Sequence, residues 1–182
     1  ETEPVVSLIY ERLGATAELA ISALALACMI AFPLGVISAL KRATIIDRSA
    51  MVVALLGISI PNFWLGPMLI YAFSIKLGLF PVSGRGGLAH LVLPTITLGT
   101  ALAGILSRMV RASVLEVLRE DFIIFAKARR IPRYRFVIHY LLRPALIPVI
   151  TLLALQLGAL LSGAVITETV FSWPGLGLSL IH

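Results

Sequence analysis

EVLREDFIIFAKARRIPRYRFVIHYLLRPALIP, residues 116–148, interrupts a chain that is otherwise nearly all apolar. The stretch carries Arg119, Lys127, Arg129, Arg130, Arg133, Arg135 and Arg143 against only Glu116, Glu120 and Asp121. Membrane proteins keep Lys and Arg in their cytoplasmic loops. A basic, amphipathic island between two apolar runs of membrane length is therefore expected on the cytoplasmic face, within reach of a soluble partner.

The composition around the island sets the class. Of 182 residues, 59% are hydrophobic and 13% charged, and mean hydropathy is +1.03, far from the roughly 45–50% apolar and 25% charged of soluble domains. A soluble core has no room for several apolar runs of about 20 residues each, which is the length that crosses a bilayer. The net charge of +6 is accounted for by topology. Nucleic-acid recognition would need basic residues interleaved with exposed polar and aromatic ones outside the apolar runs, so no nucleic-acid partner is expected. The single cysteine, Cys28, lies inside the first apolar run and reads as a small packing residue. The opening ETEPVVSLIYERLG is acidic and does not read as a signal peptide.

Four spans follow, at about residues 15–40, 50–75, 91–111 and 145–169, all in one domain covering 1–182. Before them, residues 1–14 read as an approach segment, with Val5, Val6, Leu8 and Ile9 laid along the membrane surface. Pro33 is expected to kink the first span. The second contains GISIPNFWLGP, in which Pro61 and Pro67 bracket Asn62, Phe63 and Trp64, and predicts a bent or broken helix. Such breaks belong where backbone is buried in protein or lines a cavity. KLGLFPVSGRGG, residues 76–87, is either a re-entrant or a surface turn. Gly99 and Gly104 in the third span, and Gly158, Ser162 and Gly163 in the fourth, would allow close helix approach. Trp173 in FSWPGLG is expected at the interface as an aromatic anchor. Lys41, Arg42 and Arg48, together with the nine basic residues from Arg108 to Arg143, place 12 of the 15 Lys and Arg on one side. Both termini are then outside and residues 116–144 form a cytoplasmic loop.

Within that loop the apolar residues from Val114 to Phe125 suggest that the third span continues outward with one face packed. Glu120 and Asp121 would cap a short helix, IIFAKARR, because acidic groups favour a helix N-terminus. Pro132 is expected to end it, and RYRFVIHYLLR would form a second short helix leading back to the membrane. The result is a protruding knob. Anionic lipid would account for its charge, but not for Ala126, Ala128, Phe136, Val137 and Ile138 threaded through it. Those favour docking of a protein.

The island resembles the cytoplasmic EAA loop of ABC importer permeases, through Asp121, Phe122, Ala126, Ala128, Leu146, Ile147 and Pro148. GISIPNFWLG (57–66), LGLFPVSGR (77–85), RASVLEVLREDF (111–122) and ITETVFSWPGLG (166–177) resemble the dipeptide, oligopeptide and nickel branch of those permeases. The resemblance implies an all-α polytopic bundle that pairs with a second permease and docks two cytoplasmic ATPases. It implies docking residues Glu120, Asp121, Phe122, Ala126, Ala128, Arg129, Arg130 and Pro132. It also implies an extracytoplasmic binding protein that delivers a peptide-like solute or nickel chelate across the inner membrane of a bacterium or archaeon. Arg130 stands where the family places glycine, a substitution that raises the cost of a positive φ, so Pro132 is expected to supply the turn. One further helix before residue 1 and another after His182 are expected, making these spans the middle of a longer subunit.

Pro61, Asn62, Trp64 and Glu168 are pore or gate candidates. Asn62 either faces a pore or caps the restarting helix. Glu18 and Glu168 are the acidic residues within or at the ends of spans and hence functional candidates, though a position near the outer interface favours wet, interfacial roles. His90, His139 and His182 are scattered, with no pair at metal-binding spacing. Neither metal nor cofactor is expected. There is no G-x-x-x-x-G-K-[ST] segment to bind ATP, and no serine, histidine and carboxylate fall at one depth. An ion-coupled carrier acting alone, or an intramembrane enzyme, would need such groups. A non-transporting or assembly subunit is the remaining alternative.

Overall fold

The computed structural model describes residues 5–161 and 164–179, with side chains for 10–161 and 164–178. Every regular element among them is helical: α1 (Val5–Leu40), α2 (Ile45–Ser59), α3 (Asn62–Lys76), α4 (Leu88–Val117), α5 (Asp121–Ala128), α6 (Arg133–Leu161), α7 (Val165–Val170) and α8 (Leu176–Ser179). Residues Ile70–Lys76 of α3 and Phe136–Leu142 of α6 are wound as π-helix. Tyr10–Leu40, α4 and α6 are each long and apolar enough to cross a membrane, and α2 with α3 adds a fourth if the bent pair counts as one span.

The core is the contact of α1 with α4. On α1, Ala15, Leu19, Ala23, Ala27 and Ala31 recur every four residues and are all at most 1% exposed, so one helical ridge of small side chains faces its neighbour. Leu98, Leu102, Ala103 and Leu106 of α4 pack against that ridge. Where the ridge ends, a Cβ on Gly35 would stand 2.8 Å from both Ser107 O and Val110. Only glycine permits that approach. The expected small-residue role of Gly104 is met on another face, where any side chain would run into the Ala54 carbonyl of α2.

Several expected boundaries move. The approach segment is no separate helix, because α1 runs unbroken from Val5 through Pro33. The second span is broken, one of the two forms expected: α2 and α3 meet at 93° across Ile60 and Pro61, since proline has no N–H to continue the ladder. Residues 77–87 turn through Gly78, Gly84 and Gly87 at positive φ. In the fourth span, α6 is described as far as Leu161, and Val165–Val170 forms α7. Ser162 and Gly163 lie outside the described residues, as does His182.

Candidate functional site

The knob begins where α4 stops. Its backbone closes through Leu118 N to Val114 O, Arg119 N to Glu116 O and Glu120 N to Val117 O, at 3.0–3.1 Å. The membrane helix therefore does not continue through Phe125 as expected. Glu120 sits in extended conformation as the N-cap of α5, without a side-chain cap hydrogen bond. Asp121 lies in the first turn and Lys127 in the last, both in the sense favoured by the helix dipole.

α5 has two faces. Ile123 and Ala126, three residues apart, are buried, and Ile123 joins a cluster with Val114, Val117, Leu141 and Ala145. The helix is thereby fixed to α4 and α6. Ile124 and Phe125, expected on the packed face, are instead 66% and 71% exposed, and Phe122, also expected to dock a partner, is 40% exposed. FIIFA is apolar at five successive positions, so periodicity alone does not identify its buried side. Ala128, Arg129 and Arg130 are exposed as well. Leu146, Ile147 and Pro148 lie within α6, where Ile147 and Pro148 share a cavity with Glu120 and Phe122 of the knob.

The turn after α5 corrects the expectation for Pro132. α5 ends at Ala128, and Arg130 itself takes the left-handed conformation, with φ 51°. Pro132 (φ −53°, ψ 137°) is the N-cap of α6, whose Phe136 N–H donates to the Pro132 carbonyl at 3.0 Å. Arg130 thus makes the turn that glycine would make, at a cost of about 1–2 kcal/mol, and Pro132 starts a helix. That helix carries RYRFVIHYLLR straight into α6.

Near the knob, at the same basic end of the bundle, is an ion pair that the sequence reading did not single out. Asp47 is 4% exposed. Arg111 donates to it through Nε to Oδ1 at 2.7 Å and Nη2 to Oδ2 at 2.9 Å. Ser38 Oγ donates to Oδ1, and the Ala43 N–H donates to Oδ2 at 2.9 Å. Ala43 holds φ 64° in the turn between α1 and α2. One carboxylate therefore ties α1, its following turn, α2 and α4 together. Beside it a cleft of about 580 Å³ opens between α2, α4 and α6, lined by Met51, Ile58, Arg108 and Leu152 among others. The signal in the sequence was a lone acidic residue among Lys41, Arg42 and Arg48.

At the other end, Glu168 is fully buried rather than wet. Thr16 Oγ1 donates to its Oε1 at 2.8 Å and the Leu178 N–H to its Oε2 at 3.1 Å, while Leu176 N–H donates to Thr16 Oγ1 at 2.9 Å. Trp173 is also fully buried instead of standing at an interface. The Trp-Pro-Gly turn folds back onto α1, so its indole N–H donates to Ala15 O at 2.8 Å. Glu18 does remain partly exposed, paired with Arg85 at 2.5 Å, whose guanidinium lies 5.9 Å from the Trp173 ring centre.

Pro61, Asn62 and Trp64 share the bend. Pro61 is the N-cap of α3 and no side chain caps that helix, so the capping alternative for Asn62 is not seen. Phe63 and Trp64 are 62% and 51% exposed, and Gly66 packs under Val170 and Phe171. The residues expected to dock a partner thus share one knob, whereas the pore candidates divide between the exposed bend and the buried Glu168.

Comparison with known proteins gives a consistent family. Residues 31–182 match the family described as binding-protein-dependent transport system inner membrane component. The chain is 41% identical over 209 residues to the dipeptide transport system permease protein DppB of Escherichia coli K12, covering 98% of this chain and 62% of that protein. It is 43% identical over 195 residues to the di/tripeptide transport system permease protein DppB of Pseudomonas aeruginosa, covering 92% and 58%. To the glutathione transport system permease protein GsiC of Escherichia coli K12 it is 40% identical over 178 residues, covering 98% and 58%. The chain thus spans about three fifths of the length of these relatives. A chain of the inward-facing MetNI methionine ABC transporter superposes with TM-score 0.78 at 22% identity, covering 98% of this chain and 81% of that one. That likeness concerns the fold.

Proposed function

We propose that this chain, which belongs to the binding-protein-dependent transport system inner membrane component family, is the pore-forming part of an ATP-driven importer. In this reading it pairs with a second permease, docks two cytoplasmic ATPases on α5, and receives its solute from an extracytoplasmic binding protein. A peptide-like solute is favoured over a nickel chelate, because the relatives are named for dipeptides, di/tripeptides and glutathione.

The observation that carries the reading is the division of α5. Its inner face is locked by Ile123 and Ala126, while Ile124, Phe125 and Arg129 stand outward. Exposed apolar side chains ringed by charge mark a partner surface. A helix fastened on one side and docked on the other moves as a rigid body. ATPase closure would displace α5, and the Ile123 contact would pass that motion to α4 and α6. The Asp47–Arg111 pair would carry it on to α1 and α2, whose 93° bend with α3 supplies the broken backbone that a gate requires. ATP hydrolysis lies in the partner subunits.

The test is co-purification and uptake with the full-length permease. Ile124→Asp with Phe125→Asp places two charges in the proposed contact while leaving Ile123 and Ala126 in place. Loss of ATPase from the complex and of peptide uptake, each by roughly tenfold or more, is expected. Full retention of both in a correctly inserted variant would sink the reading.

A further inference from the structure

Behind the Arg130 turn lies a basic cavity whose wall shares Arg129 with the docking face proposed above. Arg129 and Arg130 approach it from the end of α5, and Arg135, His139 and Arg143 from α6, around about 690 Å³ with Tyr140 in the wall. Among the described residues, the ion pairs engage Arg85 and Arg111 and none of these four arginines. Arg135 is steadied over the Tyr134 ring, 5.7 Å from its centre. Glu116 and Glu120 line a different cavity, on the Phe122 side of α5. Four exposed like charges thus share one space with no carboxylate in its wall, which makes a site of positive potential that favours an anion.

The position of the cavity selects the anion. Arg143 stands where the apolar run of α6 begins, and Ile147, which borders the neighbouring cavity of Glu116 and Glu120, and Ile150 follow it at four and seven residues, on the same helical face. They are 72% and 57% exposed. A headgroup held at Arg143 therefore has an apolar track along the helix for its acyl chain, which a free anion would not need. Guanidinium forks match phosphate oxygens in bidentate geometry, and basic pockets at the cytoplasmic side of membrane helices suit anionic headgroups. We propose that the cavity binds the phosphate of an anionic phospholipid, with Arg129, Arg130, Arg135 and Arg143 as its cationic wall. The bound headgroup bridges the end of α5 to α6 and so braces the turn that Arg130 makes.

The inference goes beyond the transport reading and is tested on the full-length permease alone. Native mass spectrometry from neutral detergent counts retained dioleoylphosphatidylglycerol against dioleoylphosphatidylcholine, which has the same chains but no net charge. Preferential retention of the glycerol lipid is expected. Arg135→Gln with Arg143→Gln should weaken it by roughly 25-fold, at roughly fivefold per charge, while Arg42→Gln on the other basic loop leaves it unchanged. The Arg135→Lys, Arg143→Lys variant keeps the charge but not the fork, and should fall between the Gln variant and the unaltered protein. If the Gln variant does not fold, a salt series on the unaltered protein decides, because headgroup preference should fall as salt rises. Equal retention of the two lipids, or an equal loss in Arg42→Gln, overturns the proposal. Displacement of the lipid by millimolar inorganic phosphate would also overturn it, by assigning the cavity to a free anion.

Discussion

The two ends of α1 each hold a buried carboxylate, and they hold it differently. At the Thr16 end, Glu168 is met by neutral donors, a hydroxyl and a backbone N–H. At the Ser38 end, Asp47 is met by a guanidinium through two bonds. Thr16 and Ser38 are 22 residues apart, about 33 Å at the α-helical rise, close to the thickness of a bilayer's hydrocarbon core. Polar clamps of different strength therefore sit at the two edges of the apolar stretch. The end nearer the knob has the charged clamp, and it joins α1, α2 and α4. The other end fastens a local turn. An ion pair suits an element that must transmit displacement without separating, whereas a neutral network suits one that only has to stay closed.

The largest effect should come from Arg111→Met. It strands Asp47, nearly buried, with only Ser38 and the Ala43 N–H as partners. Breaking a buried pair from one side costs about 3–5 kcal/mol, and the partial exposure of Arg111 puts this one near about 3 kcal/mol. Thermal unfolding of the full-length permease in detergent would measure it. Adding Asp47→Leu should restore most of the loss, because no charge is then left unpaired. If the double variant is as unstable as the single one, the clamp is not acting as a pair.

A smaller loss is expected at the neutral clamp. Thr16→Val keeps shape but removes a donor to Glu168 and the acceptor for Leu176 N–H, for about 1–3 kcal/mol. Measured by the same unfolding experiment, it should fall below Arg111→Met. The reverse order would mean that the Trp-Pro-Gly turn, and not the ion pair, is the principal fastening of α1.

The contrast between the ends also separates what was legible in the sequence from what was not. The helical spans and the break at Pro61 follow from apolar length and from proline's missing N–H, both local properties. The environments of the carboxylates are not local: Thr16 meets a partner 152 residues away and Arg111 one 64 residues away. Glu168 and Trp173 read as interfacial because their neighbours in sequence are interfacial in character. The fold brings α1 over them. In the knob, proline's rules permit both ending one helix and starting another, and only the backbone angles show that Pro132 does the second.

The smallest effect is expected at Arg130, where the local and tertiary readings conflict most directly. An arginine at φ 51° is disfavoured by Cβ–carbonyl crowding of about 1–2 kcal/mol. Glycine would relieve that crowding but would add freedom to the unfolded chain, which offsets about 0.5–1 kcal/mol. Arg130→Gly should therefore raise stability by about 0.5 kcal/mol, a small upward shift of the unfolding midpoint. Ala at the same position relieves no crowding and should leave the midpoint unchanged or lower. A clear loss of stability in Arg130→Gly would show that the guanidinium, not the backbone angle, holds the turn. The conformation would then be an indirect product of what the side chain contacts in the basic cavity.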